Sequence, residues 1–229
     1  MKLAIFDLDN TLLNGDSDYL WGRFLVNAGL VDGDDYERQN RAYYDDYCAG
    51  RLDIFEFLRF SLKPLANNEL QTLLNLRQRF VADYIEPIIL PAARHLLDHH
   101  RDQGHALLII TATNRFVTEP IAQALGVDEL IATDPEFIDN RYTGNVSGIP
   151  SFREGKVQRL EQWLGQRGAN LASSWFYSDS HNDLPLLEMV THPFAVDPDQ
   201  TLAQHAATVG WPILTLRQGD HAVALPQAD

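Results

Sequence analysis

The stretch Leu-Ala-Ile-Phe-Asp-Leu-Asp-Asn-Thr, residues 3–11, joins a short apolar run to two acidic residues, Asp7 and Asp9. An apolar run without polar alternation is typical of a strand that is covered on both faces of a sheet. Because side chains alternate along a strand, Asp7 and Asp9 are expected to leave it on the same side. Open parallel sheets bind ligands at the carboxyl ends of their strands. The stretch therefore indicates either a ligand site or a solvated acidic turn capped by Asp9 or Asn10.

Further short apolar runs alternate with helical patterns along most of the chain. Besides residues 3–7, strands are predicted at 106–111, 175–178, 193–196 and, more weakly, 212–216. Helices are predicted at 91–101, 116–125 and 156–164. This alternation predicts an α/β fold, with a Rossmann-like parallel sheet core and helices on both of its faces.

Residues 16–86 break this alternation, because they contain no convincing strand pattern. Four helical patterns follow one another there, at 19–28, 36–49, 54–62 and 69–84. We therefore predict a helical cap domain over residues 16–86, inserted into a core domain formed by 1–15 and 87–229. Ordinary helices that cover the sheet are the alternative. Turn signals at Asp139-Asn140-Arg141 and Thr143-Gly144 also suggest a hairpin within 133–150.

The composition restricts the possible partners. The 229 residues include 18 Lys and Arg against 32 Asp and Glu, a net charge of −14, which argues against binding to nucleic-acid or anionic lipid phosphates. A single cysteine, Cys48, cannot form an intramolecular disulfide. The apolar run at the start is too short for a signal peptide. These features predict a cytoplasmic enzyme or module, a monomer or homodimer, that acts on a small molecule.

A second acidic pair lies in Ser178-Asp179-Ser180-His181-Asn182-Asp183, directly after another predicted buried strand. Four clustered carboxylates with oxygen-rich neighbours are typical of a hard-cation site, for which Mg²⁺ is the natural occupant. A helix capped near Asn182 is the alternative, and it is compatible with the metal site. That alternative does not explain why two strand ends both carry paired acids.

Thr111 and Lys156 lie between the two acidic motifs in the sequence. A threonine hydroxyl at a strand end can hold a phosphate oxygen, and a lysine can neutralise both a phosphate and a carboxylate. Each residue alone is a weak signal, since threonine is common in strands and lysine is common at solvated helix starts. In this order with the acidic motifs, they indicate phosphoryl chemistry.

The four motifs together resemble those of the haloacid dehalogenase superfamily of phosphohydrolases: Asp7-x-Asp9-x-Thr11, Thr111, Lys156 and Asp179-x-x-x-Asp183. The helical insertion is similar to the C1-type cap of the phosphoserine-phosphatase-like branch, subfamily IB. The chain departs from that branch at Ser178, where a glycine is common.

The resemblance implies a role for each motif residue. Asp7 would be the nucleophile that forms an aspartyl phosphate, and Asp9 the general acid and then the base. Mg²⁺ would be held by Asp7, the main-chain carbonyl of Asp9, Asp179 and, through water, Asp183. The remaining roles are contacts to the transferring phosphate, assigned to Asn10, Thr11, Thr111, Ala112, Lys156 and Asn182, with Asn182 alternatively fixing Lys156.

The substrate is expected to carry an amine and no carboxylate. In phosphoserine phosphatases an acidic residue after the first motif meets the substrate ammonium, and Asp16 matches it here. Those enzymes bind the substrate carboxylate with a cap arginine, but an ungapped alignment places Ser61 there, with Arg59 two residues away. Histidinol phosphate fits this pattern, with phosphoserine as the alternative. A receiver-type phosphoacceptor module is the competing class, although its length and the adjacent Asp9 count against it.

Several aromatic and histidine residues have more than one interpretation. An imidazole could stack on one of five aromatic residues, although packing between helices is the commoner role: Tyr19, Trp21, Tyr43, Tyr44 and Tyr47. His95, His99 and His100 share one helical pattern, for which a solvated face is expected. His181 lies inside the fourth motif, and Cys48 is expected to be buried.

Overall fold

A computed structural model describes residues 2–127 and 129–225. Its strands form one sheet of eight strands in the order β4-β3-β2-β1-β5-β6-β7-β8. The strands are β1 (Leu3–Phe6), β2 (Ala106–Asn114), β3 (Glu129–Ile138), β4 (Arg141–Ser147), β5 (Ser174–Ser178), β6 (His192–Val196), β7 (Ile213–Thr215) and β8 (Val223–Ala224).

The helices are α1 (Ser17–Asn27), α2 (Gly33–Cys48), α3 (Ile54–Ser61), α4 (Lys63–Ala66), α5 (Leu70–Phe80), α6 (Pro91–Asp102), α7 (Arg115–Ala124), α8 (Glu154–Arg167), α9 (Leu184–Leu187) and α10 (Gln200–Val209). A π-helical turn over Val81–Ile85 and a 3₁₀ turn over Glu86–Ile88 follow α5, and a further 3₁₀ turn, His181–Asp183, precedes α9.

The centre of the sheet is parallel, as the sequence predicts. β1 pairs in parallel with β2 on one side and with β5 on the other, and only the two edge strands, β4 and β8, run antiparallel to their described neighbours. All four residues of β1 are buried. A central strand buried on both faces explains its continuous apolar sequence.

Helices cover both faces of this sheet. Ala4 and Phe6 of β1 belong to a hydrophobic cluster with residues of α1, α6 and α7, whereas Leu3 and Ile5 belong to a second cluster with residues of α8 and α10. Because successive strand residues point to opposite faces, these clusters lie on the two sides of the sheet. The predicted α/β fold with helices on both faces is therefore confirmed.

Residues between β1 and β2 are helical, apart from turns and one isolated bridge from Leu13 to Ile89. Beside the bridge, Asn14 N–H donates to the Ile88 carbonyl at 2.8 Å. The chain thus enters and leaves the helical segment at one point. The division into a cap over residues 16–86 and a core over 1–15 and 87–229 remains a prediction, and residues 1, 128 and 226–229 lie outside the described residues.

The hairpin predicted within residues 133–150 is formed by β3 and β4. Its turn lies at Asp139 and Asn140, whose φ angles are 49° and 62°, but the turn predicted at Thr143-Gly144 is wrong. Gly144 lies within β4, where a Cβ atom would approach the Cβ atom of Ala66 to 3.2 Å. The glycine therefore serves close packing of β4 against α4.

Candidate active site

The two acidic motifs meet at the carboxyl edge of the sheet. Asp7 follows β1 and Asp179 follows the neighbouring β5, and the Asp7 N–H donates to the Tyr177 carbonyl at 2.9 Å. Parallel strands end at the same edge, so their adjacent register brings the carboxylates together. This convergence is what the spacing of the motifs predicts.

Lys156 links the two motifs. Its Nζ lies 2.7 Å from Asp7 Oδ1 and 2.7 Å from Asp183 Oδ1, and all three side chains are at most 5% exposed. Ser178, in the place where a glycine is common, donates its hydroxyl to Asp183 Oδ2 at 2.7 Å. The serine therefore helps to satisfy a buried carboxylate.

Thr11 holds the other acid of the fourth motif. Its hydroxyl donates to Asp179 Oδ1 at 3.1 Å and accepts from the Asp179 N–H at 3.0 Å. Thr11 is fully buried. In the structure, Thr11 thus orients Asp179, although the resemblance assigned it a phosphate contact.

Asp9 is held by two donors on opposite sides. Ser17 N–H donates to Oδ1 at 2.6 Å, and the Thr113 hydroxyl donates to Oδ2 at 2.8 Å, while the Thr111 hydroxyl lies 3.4 Å from Oδ2. Thr113 was not among the site residues expected from the sequence. Its signal was present, because Thr111 and Thr113 are two apart on one strand and therefore face the same side.

The buried carboxylates of the acidic cluster outnumber the one lysine that contacts them. Burial raises the pKa of Asp7 to about 7; Lys156 opposes this rise, and the charges of Asp183 and Asp9 add to it. Burial, Asp7 and Asp183 likewise raise the pKa of Asp179 well above its usual range. Burial alone would lower the pKa of Lys156, but Asp183 and Asp7 raise it. One lysine therefore does not neutralise these carboxylates, and the cluster would favour an added cation.

The oxygen-only donors of this cluster fit Mg²⁺, which prefers carboxylates and carbonyls and keeps several of its waters. Within 2–127 and 129–225, no three His, Cys, Asp or Glu side chains are arranged as a closed metal cage. Instead, Lys156 bridges Asp7 and Asp183. Mg²⁺ can be held by one or two carboxylates plus substrate oxygens, so the arrangement suits a metal that binds with its substrate.

A cavity opens between the acidic edge and the helical segment. Its described walls combine acids, aromatic rings and small polar groups: Asp7, Asp9, Asp16, Asp18, Tyr19, Asn40, Tyr43, Tyr44, Tyr47, Leu52, Phe57, Thr111, Ala112, Thr113 and Phe152. No lysine, arginine or histidine is among these described lining residues. Of the predicted phosphate contacts, Thr111 and Ala112 line the cavity, whereas Asn10, Thr11 and Asn182 do not.

Asp16, predicted to meet a substrate amine, lies in this wall. It caps the N-terminus of α1 by accepting from the Tyr19 N–H at 2.8 Å. Burial, with the Asp9 charge, raises its pKa well above the usual range. Asp18, two residues on, also lines the cavity, and burial with the Asp9 charge raises its pKa to about 7. Asp18 was not among the site residues expected from the sequence.

The arginines of the helical segment are not among the lining residues, although Arg41 lies over the ring of the lining residue Tyr44, 5.9 Å from its centroid. Four of these arginines pair with a neighbouring acid, and each of the four arginine side chains is about half exposed or more: Arg23 with Glu37, Arg41 with Asp45, Arg51 with Asp46 and Arg59 with Glu56. Ser61 does not line the cavity, so its expected place at a substrate carboxylate is wrong; it is buried, and its hydroxyl has no hydrogen-bond partner in the described part of the chain.

Asn182 contacts Arg153, and not Lys156. Its Oδ1 accepts from Arg153 Nε at 2.9 Å, and its Nδ2 donates to Ser180 Oγ at 3.2 Å. The suggestion that Asn182 fixes Lys156 is therefore wrong. Arg153 also donates to the Gly50 carbonyl in the helical segment, a contact that no feature of the sequence indicated.

Asn10 has a left-handed backbone, with φ of 57°, and its carbonyl accepts from Arg217 Nη2 at 2.8 Å. Arg217 also pairs with Asp197 through Nη1 at 2.6 Å. Arg217 therefore ties the loop of the first motif to the segments that follow β6 and β7 at the same edge of the sheet, a role that nothing in the sequence pattern indicated.

Two expectations for residues outside the cavity are wrong. His100 is 2% exposed and contacts His105 and the Tyr177 hydroxyl, so a solvated face holds only for His95 and His99. Cys48 is exposed. Trp21 is buried among phenylalanines and does not line the cavity, so it has the packing role that is commoner for such residues.

Comparison with known proteins agrees with this geometry. The family model of haloacid dehalogenase-like hydrolases matches residues 4–188. A histidinol-phosphatase from Neisseria meningitidis serogroup C (strain 8013) is 47% identical over 220 residues, which cover 94% of this chain and 99% of that protein. No described helix is long and apolar enough to cross a membrane.

Solved structures share the fold. A protein with unknown function from Bordetella pertussis Tohama I superposes with a TM-score of 0.89 and 44% identity, covering 94% of this chain and 98% of that one. A substrate-bound phosphoserine phosphatase superposes with a TM-score of 0.68 at 19% identity, covering 89% of each chain. At that identity the second likeness shows the fold alone.

Proposed function

Because the chain belongs to the haloacid dehalogenase-like hydrolase family and is a phosphatase, we propose that it hydrolyses histidinol phosphate through an aspartyl-phosphate intermediate. Support comes chiefly from the cavity beside Asp7, whose wall also holds Asp16, Asp18 and several aromatic rings but, among its described residues, no cation. The family match also favours a hydrolase over a receiver-type phosphoacceptor.

In the first step, an Asp7 carboxylate oxygen attacks phosphorus, and the bond from phosphorus to the ester oxygen breaks. Asp9 gives its proton to the departing alcohol. In the second step, Asp9 takes a proton from water, whose oxygen attacks phosphorus and releases Asp7 together with inorganic phosphate. Lys156, 2.7 Å from Asp7, favours the ionised form of the nucleophile.

The position of Asp9 depends on its two donors. Ser17 N–H and the Thr113 hydroxyl hold its oxygens, so the carboxyl group keeps a fixed orientation at the cavity wall. A general acid must lie within hydrogen-bond reach of the leaving oxygen. Thr113 is therefore assigned as a positioning residue that acts through Asp9.

Thr111, the backbone at Ala112 and Lys156 would hold the transferring phosphoryl group, since positioning and charge neutralisation supply most of the catalysis in phosphoryl transfer. Asp7, the Asp9 carbonyl and Asp179 would hold Mg²⁺, with Asp183 behind them. When bound, the ion neutralises charge on the phosphoryl oxygens. Thr11 keeps Asp179 in place for this role.

The choice of substrate rests on charge. Asp16 and Asp18 offer partners for cationic nitrogen, and no arginine is among the described lining residues of the cavity; four arginines of the helical segment pair with surface acids. A substrate carboxylate in this cavity would be desolvated without a cationic partner, which is costly. The relative named histidinol-phosphatase, at 47% identity, supports the same substrate.

The test is a panel of phosphate monoesters assayed with Mg²⁺. We expect kcat/KM for L-histidinol phosphate to exceed that for L-phosphoserine about ten- to a hundredfold, the value of one charged hydrogen bond of about 1.5–3 kcal/mol. A value for phosphoserine equal to or above that for histidinol phosphate would contradict the proposed substrate while leaving the phosphatase chemistry intact.

We further propose a cytoplasmic location for this phosphatase and a monomeric or homodimeric state. Two features of the sequence support the location: the strongly acidic composition and the single cysteine. Sedimentation of the purified protein would determine its oligomeric state.

A further inference from the structure

Asp18 has an unusual place in the cavity wall. It lies in the first turn of α1, and its carboxylate accepts no hydrogen bond and forms no ion pair with any residue that the structure describes. Asp16, by contrast, already accepts from the Tyr19 N–H at 2.8 Å. A carboxylate that faces a cavity without a protein partner is a candidate for contact with a ligand.

The surroundings of Asp18 are acidic on one side and aromatic on the other. Among the charged groups nearby, Asp9 raises the pKa of Asp18 most strongly. The charge of Asp18 in turn raises the pKa of Asp16 and of Tyr36. Asp18 therefore lies between the acidic edge of the sheet and the helical segment. Repulsion from Asp9 would be relieved by a cationic or N–H donor group in the cavity.

Aromatic rings line the same cavity. The rings of Tyr19 and Tyr44 lie 5.0 Å apart, and those of Tyr43 and Phe57 lie 5.5 Å apart. Tyrosine and phenylalanine rings bind other flat rings and also attract cations to their faces. Rings of this kind beside a free carboxylate suit a planar ring that bears an N–H group, such as an imidazole or imidazolium.

We propose that Asp18 is a specificity residue that accepts a hydrogen bond from the imidazole N–H of the leaving group, while Asp16 binds the ammonium group. This inference rests on the proposed function, because it assigns the second nitrogen-bearing group of the same substrate. In histidinol phosphate the ammonium and the imidazole lie on separate arms of one carbon, so two carboxylates are needed to contact both.

Phosphoethanolamine provides a matched probe. It keeps the phosphate and an ammonium group two carbons from the ester oxygen, as in histidinol phosphate, but it has no imidazole. Loss of the Asp18 charge should therefore affect only the larger substrate, whereas loss of the Asp16 charge should affect both.

The experiment compares kcat/KM for both substrates in the wild-type protein, Asp18→Asn and Asp16→Asn. For Asp18→Asn we expect a fall of about ten- to a hundredfold with histidinol phosphate, mainly through KM, and a fall of less than about threefold with phosphoethanolamine. Asp16→Asn should lower both values by similar factors. Asp34→Asn, which removes one exposed charge from α2 outside the cavity, is the matched control.

Equal losses with the two substrates in Asp18→Asn would overturn the assignment of Asp18, even if histidinol phosphate remained the better substrate. A wild-type protein that does not prefer histidinol phosphate to phosphoethanolamine would overturn this inference, and failure to hydrolyse histidinol phosphate would overturn the proposed function with it. Asp18→Ser repeats the test if the amide disturbs the start of α1. Asp18→Glu, which keeps the charge, should retain more of the preference than either.

Discussion

The two ends of the cavity are built differently. At the sheet end, every motif carboxylate has a fixed protein partner: Asp7 and Asp183 share Lys156, Asp179 pairs with Thr11, and Asp9 is held by Thr113. At the helical end, Asp18 accepts no bond from the described residues. Fixed groups suit the chemical steps, which are the same for every phosphate ester. Free groups suit recognition of a leaving group, which differs between substrates.

Asp7→Asn should have the largest effect on turnover of any change at the sheet end of the cavity. An amide is a poor nucleophile, so kcat is expected to fall at least about a thousandfold for every substrate. Lys156 keeps its contact with Asp183, and one of several like charges is lost, so the melting temperature should not fall. Steady-state turnover and thermal unfolding check this, with Asp34→Asn as the control. Near-wild-type turnover would show that Asp7 is not the nucleophile.

Chelation should have the next largest effect. Removal of divalent cations is expected to lower activity on the order of a hundredfold or more, because the buried carboxylates then repel the phosphate. Mg²⁺ should restore the activity. Ca²⁺ should inhibit, because its larger coordination shell favours bidentate binding of Asp7. Full turnover in excess chelator would rule out the proposed role of the metal.

Thr113→Val tests whether the orientation of Asp9 matters. The two side chains have similar shapes, so the change removes mainly the hydroxyl that donates to Asp9 at 2.8 Å. Losing one hydrogen bond of about 1 kcal/mol should lower kcat about fivefold and leave KM nearly unchanged. Thr143→Val on exposed β4 is the control. A rise in KM with unchanged kcat would instead place Thr113 in substrate binding.

Phe57→Arg tests whether a cation at the helical end of the cavity changes the substrate preference, and it has the smallest expected effect. A cation in the cavity wall should shift the ratio of kcat/KM values several-fold towards phosphoserine and away from histidinol phosphate. Phe55→Arg is a matched control, because Phe55 is 57% exposed and does not line the cavity. An identical shift in both variants would mean that net charge, and not the cavity wall, sets the preference.

The same difference between the two ends explains what could be predicted from the sequence. The parallel sheet and the meeting of Asp7 with Asp179 follow from strand periodicity and from the common edge at which parallel strands end. Thr113 could have been found by the same rule, from its spacing to Thr111.

No rule of this kind places side chains at the helical end of the cavity. Ser61 was misplaced because helical periodicity shows which residues share a face but not which face meets the cavity. His100 was misjudged for a related reason: it follows Ala93 and Leu97 at helical spacing, on the buried face of α6. Long-range contacts such as that of Arg153 with Gly50 have no local sequence signal at all.

The described part of the cavity wall contains no cation, and a carboxylate on the leaving group should therefore be disfavoured. Phosphoethanolamine and L-phosphoserine differ only in that carboxylate, so the ratio of their kcat/KM values measures its effect directly. In the presence of Mg²⁺, we predict that kcat/KM for phosphoethanolamine is at least about tenfold higher than that for L-phosphoserine. A value for phosphoserine equal to or higher than that for phosphoethanolamine would contradict it.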